Sequence, residues 1–362
     1  MENNKLRVFE AFAGFGGCSF ALKRLKESYP NFEYEIVGYS EIDKFAIDLY
    51  NANHKDSLGN LIKNFGDINF INPSDYNFPD FDMLVGGFPC QPYSNIGLQL
   101  GKNDIYGRGN YLEQIVRICE IKKPKYILLE NVKGFLSKKF ELVRNELCLK
   151  LRELGYVYDK NDLSEKPIHY ALLNSKDYGI PQIRERVWMF ARLGGLPIDF
   201  NLSPQKQTNN LKLVDFLDPE KLVPKKLYLK KQQIEKIKTN TGISNFYVNT
   251  PLCIDIYNKR IKYDGYCITL TMPTHNSLRI ALPNPIEEVV RKLTVNEQFR
   301  LMGLESLSIK NNKVDIKLNN QSYTQLSKRA ANGWDVNLVT ILFKHIFSQL
   351  KEFDFLANKK SN

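Results

Sequence analysis

Four short segments of the chain hold residue types that could do chemistry together. The first is Gly86-Gly87-Phe88-Pro89-Cys90-Gln91-Pro92-Tyr93-Ser94, a cysteine between two prolines just past a buried, strand-like run. Most cysteines are inert core residues, but one held rigidly in a loop at the carboxyl edge of an α/β sheet faces whatever ligand binds there. Its thiolate would be a nucleophile. The second segment is Glu130-Asn131-Val132, which closes the apolar run Tyr126-Ile127-Leu128-Leu129. A carboxylate ending a buried strand is placed to hold or hand over a proton; the plainer reading is a strand-end acid paired with a neighbouring lysine. In the third, Arg184-Glu185-Arg186-Val187, strand alternation would put Arg184 and Arg186 on one face and Glu185 on the other. Two guanidinium groups on one face suit a carbonyl oxygen, a phosphate or a carboxylate. The fourth, Phe9-Glu10-Ala11-Phe12-Ala13-Gly14-Phe15-Gly16-Gly17, reads as a strand breaking into a glycine-rich turn that opens a helix. Such a turn lets a ligand approach the backbone, although it is not the dinucleotide fingerprint GxGxxG. Glu41, ending the next strand-like run, stands where such sheets place an acid for ribose hydroxyls, and Asp67 after Gly66 could meet an adenine amino group.

The elements that must position these residues follow from hydrophobic periodicity. Strand signals at Val8–Phe12, Tyr34–Tyr39, Phe81–Val85, Tyr126–Leu129 and Val187–Ala191 alternate with helical spacing at Cys18–Glu27, Lys44–Tyr50, Arg108–Ile121 and Leu142–Leu154. Strand and helix at that pitch predict a doubly wound α/β sheet. The texture changes after Gly194-Gly195: residues 196–290 are rich in Asn, Lys, Pro and Thr, with short strand-like pieces such as Tyr266–Thr271. Lys221, Lys225, Lys226, Lys230, Lys231, Lys236 and Lys238 make this stretch locally basic, and a second, irregular domain is expected there. Helical spacing returns at Val295–Met302 and Val336–Leu350, and no internal repeat is visible.

Composition narrows the class. At 43% hydrophobic and 25% charged residues, 362 residues can bury a real core as an ordinary soluble protein. The formal charge of +11 suits a polyanionic partner, or simply a solvated basic surface. No amino-terminal signal and no apolar stretch of about 18 residues are present, so no membrane role is expected. Six cysteines without a CxxC pair and four scattered histidines suggest neither a disulfide framework nor a metal site, and a reduced, cytoplasmic setting is expected.

In order along the chain, FAGFGG, GFPCQPYS, ENVKGF and QIRERV resemble the cytosine-5 DNA methyltransferases, the bacterial restriction–modification type in particular. Arg291-Lys292-Leu293-Thr294, continuing through Glu297, Arg300, Met302 and Gly303, resembles that family's RKLT…E…R…G segment. The likeness covers residues 7–190 and 291–345. It implies a Rossmann-like, S-adenosylmethionine-dependent methyltransferase sheet with a smaller, irregular target-recognition domain. The catalytic and cofactor-binding domain would be residues 1–194 plus 323–362, target recognition 195–290, and a connecting segment 291–322.

The resemblance further implies a mechanism. Cys90 would attack carbon 6 of a cytosine flipped out of double-stranded DNA, making carbon 5 nucleophilic enough to take a methyl group. Glu130 would act at N3, and Arg186, helped by Arg184, at O2. S-adenosylmethionine, leaving as S-adenosylhomocysteine, would lie against Phe12, Ala13, Gly14, Gly16, Gly17, Glu41, Ile42, Asp67, Pro89 and Asn332, and no metal is called for. Gln91, Ser94, Asn95 and Gln99 in the loop after the cysteine, with Thr269-Leu270 in the middle region, would touch DNA. One departure stands out: the family's closing Gly-Asn-Ser is here Ala331-Asn332-Gly333. A monomer is expected, with a cognate restriction endonuclease acting separately in a bacterial or phage setting. The rivals are a same-fold RNA cytosine-5 methyltransferase, which typically has Cys-Phe-Thr where this chain has Gln91-Pro92-Tyr93 after the cysteine, and a non-catalytic DNA-binding homologue.

Overall fold

The structure is a computed structural model describing residues 5–89, 111–207, 210–272, 278–307, 313–353 and 356. The chain divides into two compact units, one of Met1–Leu173, Glu185–Gln205 and Val339–Asn362, the other of Asn174–Arg184 and Lys206–Leu338.

The first unit carries β1 (Lys5–Ala11), α1 (Gly17–Ser28), β2 (Glu33–Ser40), α2 (Lys44–Asn53), β3 (Met83–Gly87), α3 (Tyr111–Lys122), β4 (Tyr126–Val132), α4 (Glu141–Glu153) and β5 (His169–Asn174). After the two-residue β6 (Gln182–Ile183), which belongs to the other unit, comes β7 (Glu185–Arg192). The sheet order is β2-β1-β3-β4-β7-β5. β2, β1, β3 and β4 run parallel, and β7 runs antiparallel to β4, so the α/β fold expected from the sequence has a mixed sheet. Its central strands are buried on both faces, which is why they read as unbroken apolar runs, for example Met83-Leu84-Val85 and Tyr126-Ile127-Leu128-Leu129. β5 escaped the sequence reading because it is an edge strand whose burial alternates weakly. Phe9, Leu84, Ile115, Ile127 and Met189 share one core cluster. The far end of the chain also joins this unit: Phe32 stacks on Phe347, and Glu352 pairs with Lys125 and Arg192.

The register fixes what this sheet presents. Ala11 lies level with Ser40 on one side and Gly86 on the other, and Gly87 lies level with Glu130. The segments leaving β1, β2, β3 and β4 therefore emerge at one carboxyl edge, where open α/β sheets bind ligands.

The second unit is more regular than its composition suggests. β8 (Leu252–Asp255), β9 (Arg260–Lys262), β11 (Leu278–Leu282) and β12 (Val289–Arg291) form an antiparallel sheet in the order β12-β11-β8-β9. α5 (Lys231–Thr241) turns Ile234 and Ile237 onto Phe246, Leu252, Ile254, Ala281 and Val290. β10 (Cys267–Ile268) pairs with β6, and α6 (Val295–Arg300) and α7 (Tyr323–Asn332) follow; the next helix, α8 (Val336–Phe347), belongs to the first unit from Val339 on. The strands are three to five residues long in a Lys- and Asn-rich stretch, so period-two patterning had little length in which to show.

Compactness does not follow the boundaries expected at 194 and 323, because residues 174–184 and α7 are bonded into the second unit. Gln182 donates to Leu301 O (2.7 Å) and accepts from Leu270 N (2.9 Å), and Arg184 donates to Ala331 O (3.1 Å) and Gly333 O (2.8 Å).

Candidate active site and the family of the chain

Glu130 and Arg186 meet on one face of the first unit's sheet. Glu130 is opposite Trp188 and Val132 opposite Arg186 in the antiparallel β4/β7 pair, so the acid and the guanidinium are diagonal neighbours. Arg186 Nε lies 2.9 Å from Glu130 Oε1. The neighbouring lysine that could have claimed Glu130 goes elsewhere: Lys133 pairs with Glu185 at 3.0 Å. Asn131, almost wholly buried, donates from Nδ2 to Phe88 O (3.0 Å) and fixes the chain two residues before Cys90. Cys90, Gln91, Ser94, Asn95 and Gln99 lie outside the described residues. Level with Glu130 is Gly87, three residues before that cysteine. A fixed carboxylate beside a fixed guanidinium can bind a ring nitrogen and an adjacent carbonyl together.

Arg184 behaves differently from Arg186. The chain is not one strand there: Arg184 falls between β6 and β7, so the expected alternation does not carry across it. Its side chain is buried, and Nη2 bonds the two carbonyls flanking Asn332.

A second cluster forms around the glycine-rich turn. Phe12, Gly14 and Gly16 all have positive φ (55°, 58° and 85°), a tight left-handed path that only the two glycines adopt without strain. Gly16 is the N-cap of α1, and a Cβ on Gly14 would meet nothing within 4 Å, so that side of the turn is open. Glu41, just past β2, reaches across: its Oε2 accepts from Gly14 N (2.9 Å), its Oε1 from Ile42 N and Asp43 N (2.8 Å each). Ala13 N donates to Ser40 O (3.1 Å). Ile42 is 66% exposed beside that carboxylate, and Pro89 is exposed after β3. Asp67 caps a short turn, accepting from Asn69 N (2.9 Å) and Asn69 Nδ2 (2.8 Å). An acid, an apolar side chain and an open backbone turn fit a nucleoside. Asn332 is exposed at the end of α7 in the second unit.

Thr269 and Leu270 are held on β6. The Thr269 hydroxyl donates to Ile183 O, and Leu270, buried, bonds through its N–H to Gln182. Among the described residues no helix is long and apolar enough to cross a membrane, and no group of three or more His, Cys, Asp and Glu side chains could hold a metal ion.

A family model described as C-5 cytosine-specific DNA methylase matches residues 6–348. The chain belongs to that family. It is a DNA (cytosine-5) methyltransferase, similar to the bacterial enzymes of restriction–modification systems. Type II methyltransferase M2.ScrFI of Lactococcus lactis subsp. cremoris is 30% identical over 403 residues, covering 94% of this chain and 99% of the relative. Type II methyltransferase M.HaeII of Haemophilus aegyptius is 29% identical over 349 residues, covering 95% and 93%. Among solved structures, the S. pombe Dnmt2 methyltransferase superposes with a TM-score of 0.62 at 22% identity, covering 96% of this chain and 99% of that one. At that identity the likeness shows the fold alone.

Two further polar residues of this methyltransferase stand beside these clusters: Glu10, inside the fourth motif but given no role there, and His54, outside all four. Glu10 is buried in β1 and accepts from the hydroxyls of Ser19 and Tyr50. Burial raises its pKa to about 7. His54 is buried under the turn with Nε2 3.0 Å from Phe15 O, and burial lowers its pKa to about 4. The signal in the sequence for Glu10 is an acid among the buried residues that close β1, four positions before Gly14.

Proposed function

We propose that this methyltransferase modifies carbon 5 of a cytosine flipped out of double-stranded DNA, using Cys90 as a transient covalent nucleophile and S-adenosylmethionine as donor. The observation that carries the reading is the Glu130–Arg186 pair, 2.9 Å apart and level with the strand that leads into Pro89-Cys90. Carbon 5 of cytosine is a poor nucleophile until a group adds at carbon 6. The Cys90 thiolate forms that bond, and the electrons displaced into the ring make carbon 5 able to take a methyl group. Glu130 meets N3 and Arg186 meets O2, stabilising the charge that builds on the ring during attack. Loss of the carbon-5 proton then expels Cys90 as the thiolate and restores the aromatic ring. Bound at the first unit, S-adenosylmethionine supplies an electrophilic methyl group. Glu41 would hold its ribose, Ile42 and Phe12 its adenine, Asp67 the exocyclic amine, and the open turn at Ala13, Gly14, Gly16 and Gly17, with Pro89, its remaining length. Asn332 is assigned to the cofactor by the resemblance alone, and Arg184 is a positioning residue that fixes the carbonyls on either side of it.

Residues 195–290 would read the target sequence, with Thr269 and Leu270 anchoring the segment that follows, and Gln91, Ser94, Asn95 and Gln99 would fill the space left by the flipped base. The protein would act as a monomer alongside a separate cognate endonuclease. Incubation with S-adenosylmethionine and unmethylated genomic DNA, then bisulfite sequencing, tests the reading. Protected cytosines within one short recurrent sequence are expected, and none with Cys90→Ala. Methylation surviving in that variant would remove the covalent mechanism, and protection absent from DNA but found on RNA would reassign the substrate.

A further inference from the structure

Behind the glycine-rich turn, four buried polar side chains are in contact, three of them in a closed triangle and His54 joined through Tyr50. Glu10 on β1 accepts from Ser19 in the first turn of α1 and from Tyr50 on α2 (3.0 Å to the tyrosine). Ser19 Oγ and Tyr50 Oη also lie 3.2 Å apart. Four residues on, at the C-cap of α2, the ring of His54 packs against that of Tyr50, centroids 4.7 Å apart, and its Nε2 reaches Phe15 O at 3.0 Å. The carbonyl can only accept, so Nε2 carries the proton, and a histidine buried enough to titrate near 4 stays neutral while donating it. The fit is close: a Cβ on Gly16 would come within 2.3 Å of His54 Nε2. All four side chains are 93% or more buried, too deep to touch a ligand.

We infer that Glu10, Ser19, Tyr50 and His54 form a clasp that presets the turn Phe12–Gly17, and that His54 and Glu10 are positioning residues for cofactor binding. This rests on the reading of that turn as the cofactor site. The path through Phe12, Gly14 and Gly16 is left-handed at three positions within five residues, so an unsupported turn would sample other conformations and ordering it would weaken binding. Glu41 braces the turn from outside by a bond to Gly14 N, and His54 braces it from inside by a bond to Phe15 O. Together they leave the backbone between them little freedom before any ligand arrives.

The test is calorimetric titration of the purified protein with S-adenosylhomocysteine, with methylation kinetics alongside. His54→Phe keeps the ring and removes the donor; His54→Gln keeps a donor at nearly the same reach. His54→Phe is expected to weaken binding about five- to tenfold, the worth of one buried hydrogen bond. KM for S-adenosylmethionine should rise with it, while KM for DNA and saturated turnover hold, and His54→Gln should restore most of the affinity. Should His54→Phe fail to fold, Tyr50→Phe removes a single hydroxyl from the same clasp and should weaken binding in the same direction. Folded variants that bind S-adenosylhomocysteine with the affinity of the unaltered protein would overturn the inference. An unaltered protein that binds none would overturn the cofactor-site reading beneath it, and this inference with it.

Discussion

At the scale of single residues, the pair that matters is made by strand geometry. Glu130 and Arg186 are diagonal neighbours because β7 runs against β4, and a carboxamide at position 130 would keep the shape while losing the charge and the exchangeable proton. Glu130→Gln is therefore expected to lower turnover on the order of a hundredfold or more, the usual contribution of a positioned acid or base. Its affinity for S-adenosylhomocysteine should stay within about twofold, since none of the turn residues bonds Glu130; calorimetry and single-turnover methylation read the two separately. Unchanged turnover would end the role given to this acid. Glu10 makes a different prediction. The folded chain holds its proton up to about 7 and the unfolded chain only to the usual 4.5, so stability falls as pH rises between those values. His54, lowered to about 4 from 6.5, has the opposite slope in an overlapping window and masks part of the effect. Glu10→Gln removes only the first slope. From pH 5 to pH 7.5 the variant should gain roughly 2 kcal/mol on the unaltered protein in urea unfolding. A gap between the two proteins that does not move with pH would show that Glu10 is not held protonated. Glu130 and Arg186 stood out in the sequence because each sits at a strand end with little competing reason to be there, and the structure brings these two together. Glu10 did not, since its partners Ser19 and Tyr50 are 9 and 40 positions away and only the fold brings them together.

At the scale of elements, the segment from Arg291 to Glu305, which carries a family-like motif, is interior structure. Thr294 caps α6, accepting from Glu297 N, while Glu297 accepts back from Thr294 N, a capping box. The same carboxylate takes two bonds from Arg291 (2.6 and 2.8 Å) and one from Asp218 N, with no solvent exposure. Arg300 bridges Asp218 and Glu305 close by. Glu297→Gln leaves the Arg291 charge buried without its counter-ion, and a loss of about 3–5 kcal/mol in urea unfolding is expected. A loss under about 1 kcal/mol would mean that water or another acid reaches Arg291. The elements themselves were unequally legible. The central strands announced themselves by unbroken burial, whereas β8, β9, β11 and β12 are too short for period two to emerge among polar neighbours. The direction of β7 cannot be read from any local pattern, because pairing partners are chosen in three dimensions.

At the scale of the whole molecule, the formal charge of +11 becomes specific once the lysines have places. Lys238 drops out of the basic run at 221–238, being paired with Glu235 and Glu288 at 2.9 Å each. Lys221, Lys225, Lys226, Lys230, Lys231 and Lys236 are exposed, the last two on α5, whose apolar side is taken up by Ile234 and Ile237. Side chains of this kind neutralise phosphates and release counter-ions, an effect blind to base sequence. Replacing Lys225 and Lys226 by glutamine should therefore weaken binding to DNA with and without the target sequence by the same factor. It should also flatten the plot of log affinity against log salt by about 0.9 for each phosphate no longer neutralised, close to two in all. The pattern of methylated cytosines should not change, since a contact to phosphate carries no information about the base. An unaltered salt slope would place the DNA elsewhere on the protein, and a shifted methylation pattern would make these lysines readers of sequence rather than of charge.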